Sequence, residues 1–194
     1  MKKIGITGNI ASGKSVVENI IETLGYKVID ADKICHNALN NNEEIIAKIK
    51  ETFCGFNIVS DNKIDRKKLG EIVFNNIELK ENLEKILHPF VKNEILKFFK
   101  ENKEKNLVFA SAALLFEANM QDIFDKTILV TADNELRLKR LMQRNNFSKK
   151  EAISRLNAQN PQEEKIKLAD FVIENNNSLD ELKFNIEKIL NLLH

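Results

Sequence analysis

Residues Gly8–Ser15 read GNIASGKS and fit the pattern GxxxxGK[ST] at every specified position. An apolar run, Lys3–Thr7, precedes them, and a helical pattern from about Lys14 to Leu24 follows. Glycines at these positions let backbone N–H groups turn inward around phosphate oxygens, and the helix N-terminus adds a partial positive charge. A strand, this loop and a helix in this order predict a P-loop that binds a nucleoside triphosphate.

Individual loop residues have predicted roles. Lys14 would reach the β- and γ-phosphates, and the Ser15 hydroxyl would bind Mg²⁺. The other positions expected to surround the phosphates are Asn9, Ile10, Ala11, Ser12, Gly13 and Val16.

Strand and helix patterns along the chain predict an α/β fold. The strand patterns are Lys3–Thr7, Tyr26–Asp30, Asn106–Ala110, Lys126–Val130 and Asp170–Ile173. Helical patterns alternate with them, among them Asn134–Asn145 and a closing helix whose capping box begins at Ser178. We expect a five-stranded parallel sheet in a P-loop core formed by residues 1–32 and 106–194, with a highly charged helical insertion over residues 33–105.

Composition excludes several classes of protein. The chain has 194 residues, of which 43% are hydrophobic, and no apolar run approaches the roughly 18 residues of a membrane span. Its 30 basic and 29 acidic residues give a net charge of +1, so we expect no nucleic-acid partner and no membrane partner. Cys35 and Cys54 form no CxxC pair, which argues against zinc and disulfide scaffolds and favours the cytoplasm. We expect a monomer or a small homo-oligomer.

The GTPases are one P-loop class to test. Asn62–Asp65 matches their NKxD motif, but the match lies inside the predicted helical insertion, and no DxxG occurs in the chain. Asp65 is better explained as the cap of a helix that starts at Arg66.

A small-molecule kinase needs a carboxylate near the acceptor hydroxyl, and two aspartates follow the second strand. Asp30 and Asp32 would lie at the carboxyl edge of the sheet, where open α/β folds bind ligands. Spacing leaves open which of them faces the acceptor, which faces Mg²⁺ or the loop, and whether one only caps the next helix.

A kinase also needs positive charge and a lid. Four of the five arginines lie close together, at Arg137, Arg140, Arg144 and Arg155. The first three share one helix face, and the fourth follows a predicted turn at residues 145–148. They predict a closing lid over about residues 137–165; the alternative is a solvated face paired with Glu135 and Glu151.

Along nearly its whole length the chain resembles the dephospho-coenzyme A kinases. Besides the P-loop, the resemblance is carried by Ile29–Ile34, His36, Ile64–Arg66, Leu69–Gly70, Val73–Phe74, His88–Pro89, Leu114–Glu117, Arg140, Arg144, Arg155, Gln159, Lys165 and Ala169–Asn175. It implies a kinase that transfers the γ-phosphoryl group of ATP, with Mg²⁺, to the 3′-hydroxyl of dephospho-CoA, the last step of coenzyme A synthesis. It also implies that the helical insertion binds the coenzyme A moiety.

The resemblance also implies site residues. It favours Asp32 over Asp30 as the base or hydroxyl-orienting group, and it makes Arg140 catalytic beside Lys14. The implied ATP contacts beyond the loop are Arg140, Arg144 and Asn175, and the implied acceptor contacts are Thr7, Asp32, His36, Arg66, His88 and Glu117. For three of these a structural role is the alternative: His36 and His88 need not touch substrate, His88-Pro89 could start a helix, and Glu117 could cap a strand. Cys35, beside His36, is expected to be a buried thiol.

The chain departs from the family pattern at four positions. Asn9 and Val16 stand where the family usually has Gly and Thr, Ala113 where it has Pro, and Arg137 where it often has Gln. Nucleotide binding should survive the first two changes, and Arg137 is expected to matter less than Arg140. Two other functions stay open: a related kinase for a nucleoside, nucleotide or sugar acid, and a non-catalytic ATP sensor.

Overall fold

The computed structural model describes residues 1–60 and 63–194. Asp61 and Asn62 lie outside the described residues. Asn62 is the first residue of the NKxD string. The chain divides into two compact units, one formed by Met1–Asp30 and Phe98–His194, the other by Ala31–Lys97.

The described strands, in chain order, are β1 (Lys2–Gly8), β2 (Lys27–Asp30), β3 (Val59–Ser60), β4 (Lys63–Ile64), β5 (Leu107–Ser111), β6 (Lys126–Thr131) and β7 (Phe171–Glu174). The described helices are α1 (Lys14–Thr23), α2 (Ala31–Asn41), α3 (Glu43–Thr52), α4 (Arg66–Phe74), α5 (Ile77–Glu101), α6 (Asn134–Asn145), α7 (Lys149–Asn157), α8 (Gln162–Ile166) and α9 (Leu179–Leu193).

The first unit contains the predicted five-stranded parallel sheet, in the order β2-β5-β1-β6-β7. β1 lies at its centre and pairs in parallel with β5 and β6, with Ile4 opposite Phe109 and Ile6 opposite Ile128. Parallel strands are covered on both faces, which explains why β5 is apolar from Leu107 to Ala110 and buried at every residue. Both the sheet and the helix Asn134–Asn145 agree with the sequence prediction.

Two helices cover the centre of this sheet. α1 contributes Val17 and Ile21, and α9 contributes Leu182 and Ile186, to one core cluster with the apolar side chains of β1. α9 begins as predicted, because the Ser178 hydroxyl accepts a hydrogen bond from the N–H of Glu181. This packing fixes the start of α1, where the loop ends.

The edge strand β7 pairs in parallel with β6, and one carboxylate adds further hydrogen bonds at the start of this pairing. Asp170 accepts hydrogen bonds from Lys126 Nζ at 2.7 Å and from the backbone N–H and hydroxyl of Thr127 at 2.8 and 3.0 Å. Burial alone would raise the pKa of Asp170, but these hydrogen bonds outweigh it and hold the pKa below its usual value.

The second unit has its own core, built by helices α2 to α5. Ile45, Ile49, Phe53 and Leu69 are buried in this cluster. The sequence predicted only helices here, whereas Val59–Ser60 and Lys63–Ile64 form a short antiparallel hairpin. Two pairs of residues are too short to show a strand periodicity, so the hairpin has little signal in the sequence.

One prediction and one alternative for the second unit are wrong. Pro89 lies inside α5, so His88-Pro89 does not start a helix; the helix continues although Pro89 has no N–H to donate. Cys35 is half-buried against the core of the unit, not fully buried, and neither Cys35 nor Cys54 forms a disulfide among the described residues.

Within residues 1–60 and 63–194, no helix combines the length and the apolar character needed to cross a membrane.

Candidate functional site

The glycine-containing loop runs from the end of β1 at Gly8 to the start of α1 at Lys14. Ala11 and Gly13 have φ values of 63° and 97°, both in the left-handed region. A Cβ atom on Gly13 would lie 2.0 Å from Nδ2 of Asn175, so only glycine fits there. The first turn of α1 leaves backbone N–H groups without acceptors inside the helix, which is the condition for an anion site.

Side chains from distant parts of the sequence hold the loop backbone in this shape. Asn175, which follows β7, donates from Nδ2 to the carbonyl oxygen of Ser12 at 2.8 Å. Arg140 of α6 donates to the same oxygen at 3.4 Å and to the carbonyl oxygen of Asn175 at 3.0 Å. The structure thus joins three of the predicted ATP-binding residues in one hydrogen-bonded group.

The side chain of Lys14 lies in a mostly buried polar cluster. Its ammonium group is 2.7 Å from Oε1 of Glu18 and donates to the hydroxyl of Ser111 at 2.6 Å. The Ser111 hydroxyl in turn donates to Glu18. Glu18 was not predicted as a site residue, although its position four residues after Lys14 places both on one face of α1.

Arg137 also contacts the loop. It is 3% exposed, and it donates from Nε to the carbonyl oxygen of Ile10 at 3.1 Å and from Nη1 to Asn134 at 3.0 Å. Burial lowers the pKa of its guanidinium, and the charge of Glu163 partly opposes this shift. Nη2 is buried and has no hydrogen-bond partner among the described residues.

The other two clustered arginines have different surroundings. Arg144 is exposed and donates to its neighbour Asn145 at 2.9 Å. The guanidinium carbon of Arg155 lies 4.8 Å from the ring centre of Phe147, a cation–π contact. The contact of Arg144 with ATP stays a prediction.

A polar clasp on the loop comes from residues 159–160, between α7 and α8. Oε1 of Gln159 accepts from the N–H of Ile10 at 2.6 Å, and Asn9 donates from Nδ2 to the carbonyl oxygen of Asn160 at 2.8 Å. A cavity of about 520 Å³, lined in part by Asn9 and Arg137, adjoins this clasp. Spacing could not have revealed contacts across some 150 residues, and Gln159 entered only through the family resemblance.

Thr7 and Glu117, two predicted acceptor contacts, lie around Ala113. The Thr7 hydroxyl and Lys165 Nζ donate to the carbonyl oxygen of Ala113 at 3.3 and 3.4 Å. Lys165 is 1% exposed, and its Nζ is 2.6 Å from Oε1 of Glu117, an ion-pair distance. Oε2 of Glu117 is buried without a hydrogen-bond partner in the described part of the chain. Glu117 therefore pairs with Lys165 and does not cap β5, the alternative considered above.

The second unit holds the remaining predicted acceptor residues. β2 ends at Asp30 and α2 begins at Ala31, so Asp32 lies in the first turn of a helix. Nη1 of Arg66 lies 2.8 and 3.0 Å from the two ring nitrogens of His36, which brings these two residues together. His88 is half-buried within α5, and its role stays a prediction.

Asp65 caps α4 as predicted. Its carboxylate accepts from the N–H groups of Lys67 and Lys68, both at 3.1 Å. This local role accounts for the last residue of the NKxD string without any guanine contact.

Comparison with known proteins gives a family-model match over residues 2–181, to the model described as "Dephospho-CoA kinase". A protein named dephospho-CoA kinase from Carboxydothermus hydrogenoformans is 45% identical over 193 residues, which cover 98% of this chain and 92% of the relative.

Two solved structures extend the similarity to the fold. TT1252 from Thermus thermophilus matches with a TM-score of 0.85 and 36% identity, covering 100% of this chain and 98% of that one. Dephospho-CoA kinase from Campylobacter jejuni matches with a TM-score of 0.71 and 39% identity, covering 97% and 95% of the two chains.

Proposed function

Because the chain belongs to the dephospho-coenzyme A kinase family, we propose that it transfers the γ-phosphoryl group of ATP to the 3′-hydroxyl of dephospho-CoA, yielding coenzyme A. The observation that carries the proposal is the P-loop whose backbone is held by Asn175 and Arg140, in a chain that matches the family over nearly its whole length. This is a phosphotransferase reaction with an alcohol acceptor. Because the family uses ATP and neither cysteine forms a disulfide among the described residues, the proposal includes a cytoplasmic location.

The first unit would bind ATP. Backbone N–H groups of the loop and of the first turn of α1 would surround the phosphates, with Lys14 and Arg140 supplying positive charge. Arg144 and Asn175 complete the proposed ATP set. Little covalent chemistry falls to the protein in phosphoryl transfer, so charge and position are what these residues contribute.

Mg²⁺ is the proposed companion of ATP. Ser15 lies exposed in the first turn of α1, where its hydroxyl is a suitable oxygen ligand for this hard cation. When bound, Mg²⁺ would neutralise charge on the β- and γ-phosphates.

The acceptor residues follow from the family motif. Asp32 would orient the 3′-hydroxyl and accept its proton late in the transfer, because a carboxylate is a weak base for an alcohol. The proposed binding contacts with dephospho-CoA are Thr7, Asp32, His36, Arg66, His88 and Glu117. Lys165 is added to them as the residue that fixes the Glu117 carboxylate.

An ADP-release assay with Mg-ATP tests the proposal, with dephospho-CoA, adenosine, AMP and gluconate as separate acceptors. We expect turnover with dephospho-CoA alone and coenzyme A as the product. Turnover with another acceptor would favour the related kinase, and ATP binding without turnover would favour the sensor.

Asp32→Asn sharpens this test. It should lower kcat by about 10² to 10⁴, the usual contribution of a positioned acid–base group, while ATP binding persists. Asp180→Asn is the matched control, since Asp180 is another carboxylate in the first turn of a helix. Loss of ATP binding in Asp32→Asn would contradict the proposed role of Asp32.

A further inference from the structure

The ammonium group of the P-loop lysine is already paired. Lys14 Nζ lies 2.7 Å from Oε1 of Glu18, and the two side chains are 13% and 7% exposed. Ser111, at the end of β5, is fully buried and links to both groups through its hydroxyl. A buried carboxylate therefore sits beside the group expected to meet the phosphates.

The carboxylate beside Lys14 comes from a helix and not from the neighbouring strand. β5 neighbours β1 in the sheet, and in the P-loop proteins a strand aspartate commonly helps to hold Mg²⁺. In this chain β5 ends in Ser111, which carries no charge, and the acid at this place comes from the loop helix α1.

Such a carboxylate weakens ATP binding in two ways when no cation is present. It attracts Lys14, and its negative charge opposes the phosphates, more strongly in a partly buried site than in water. A divalent cation that arrives with the phosphates reverses the second effect, because the same carboxylate then attracts it.

We propose that Glu18, acting through Lys14 and Ser111, is a positioning residue that makes ATP binding depend on Mg²⁺. It holds Lys14 when no nucleotide is bound, opposes ATP without the cation, and favours ATP with it. The inference rests on the proposed binding of ATP at the loop.

The alternative is a purely structural pair that fastens α1 to β5. Breaking such a pair lowers the free energy of unfolding and leaves the effect of Mg²⁺ on ATP affinity unchanged. The effect of Mg²⁺ on affinity therefore separates the two roles.

Calorimetric titration of the full chain with ATP, in EDTA and in excess MgCl₂, tests the proposal. In EDTA, Glu18→Gln should bind ATP about tenfold more tightly than the wild type, the scale of one charge-assisted hydrogen bond to Lys14. In MgCl₂ the ATP affinities of the two proteins should differ by no more than about threefold, or the variant should bind ATP more weakly. The increase in ATP affinity that Mg²⁺ causes should therefore be smaller in Glu18→Gln than in the wild type.

Glu22→Gln is the matched control, because Glu22 lies one turn further along α1, is exposed and undergoes the same change of charge. It should leave both affinities unchanged. Equal shifts in the two variants, or a shift in Glu18→Gln that is the same with and without Mg²⁺, would overturn the proposal.

Should Glu18→Gln fail to fold, Glu18→Asp keeps the buried charge but shortens its reach to Lys14. It should tighten ATP binding in EDTA by about threefold, and an unchanged affinity would count against the proposal. A wild-type protein that binds no ATP would instead refute the proposed function, so the two failures are distinguishable.

Discussion

At the scale of single residues, the shape of the P-loop depends on the absence of a side chain at Gly13. Gly13 has a φ of 97°, and Nδ2 of Asn175 occupies the place that a Cβ atom would take, 2.0 Å away. That amide is the group that holds the carbonyl oxygen of Ser12. A methyl group at Gly13 would therefore displace the contact that shapes the loop.

Gly13→Ala should weaken ATP binding by at least about 100-fold, since both the backbone angle and the Asn175 contact are lost. Calorimetric titration with ATP measures the loss, and thermal unfolding shows whether the fold persists.

Gly25→Ala provides the control. Gly25 has a similar φ of 90°, but a Cβ atom there would meet nothing within 4 Å. Both variants should lose about 1 kcal/mol of unfolding free energy from the left-handed backbone. Gly13→Ala should lose more than this, because it also displaces Asn175, and only Gly13→Ala should lose ATP binding. Equal ATP affinities in the two variants would contradict the prediction.

At the scale of secondary-structure elements, the edge strand β7 is held to β6 partly by the hydrogen bonds of Asp170. Because they lower the pKa of Asp170 in the folded protein, its contribution to stability is fully present above the pKa of the unfolded chain. It is lost as the pH falls through the lower folded value.

Asp170→Asn should lower the free energy of unfolding at pH 7 by about 0.5 to 1 kcal/mol, a modest value because solvent screens this partly exposed carboxylate. The difference from the wild type should shrink as the pH falls below about 4. Urea unfolding at pH 7, 5 and 3 measures it. Asp180→Asn, at a side chain 96% exposed, should show no such trend. A difference that is constant with pH would refute the explanation.

The same scale shows what sequence reasoning can reach. Apolar runs predicted the five strands of the sheet, and the caps Ser178 and Asp65 marked helix starts, because these signals are local in sequence. The loop pattern predicted the strand–loop–helix arrangement for the same reason.

What the sequence did not reveal depends on distant contacts. Glu18 becomes notable only because Ser111, 93 residues away, meets it, and the role of Lys165 follows only from its contact with Glu117. Pro89 suggested a helix start, but it lies inside α5, because the packing of a 25-residue helix tolerates one missing hydrogen bond.

At the scale of the whole molecule, the chain builds two units with separate cores. The first is centred on Ile4 and Ile6 of the parallel sheet, and the second on Ile49 and Phe53. The proposed ATP contacts lie in the first unit, as do Thr7 and Glu117 of the acceptor set. The other four proposed acceptor contacts lie in the second unit: Asp32, His36, Arg66 and His88. ATP and dephospho-CoA should therefore protect different segments of the chain.

Hydrogen exchange should distinguish the segments that the two ligands protect. Mg-ATP should slow the exchange of amides in residues 8–16, and dephospho-CoA should slow exchange in residues 31–41 and 65–70. At 100 times its Kd, either ligand should stabilise the protein by about 2.7 kcal/mol.

Gly13→Ala serves here as a control, since at the same ATP concentration it should strongly reduce the protection by ATP and keep that by dephospho-CoA. Protection by dephospho-CoA confined to the first unit would contradict the assignment of its contacts.

The order of strands in the sheet has a consequence for how the chain is made. β1 pairs only with strands that come much later, with Lys2 opposite Leu107 and Ile4 opposite Lys126. Residues 31–97 of the second unit leave the ribosome as one continuous segment before either partner strand exists. At 5–20 residues per second, β1 waits roughly 6 to 24 s for the last of its neighbours. Until β5 has been made, the isoleucines of β1 have no partner strand, so the strand that leads into the P-loop stays exposed during the early part of synthesis.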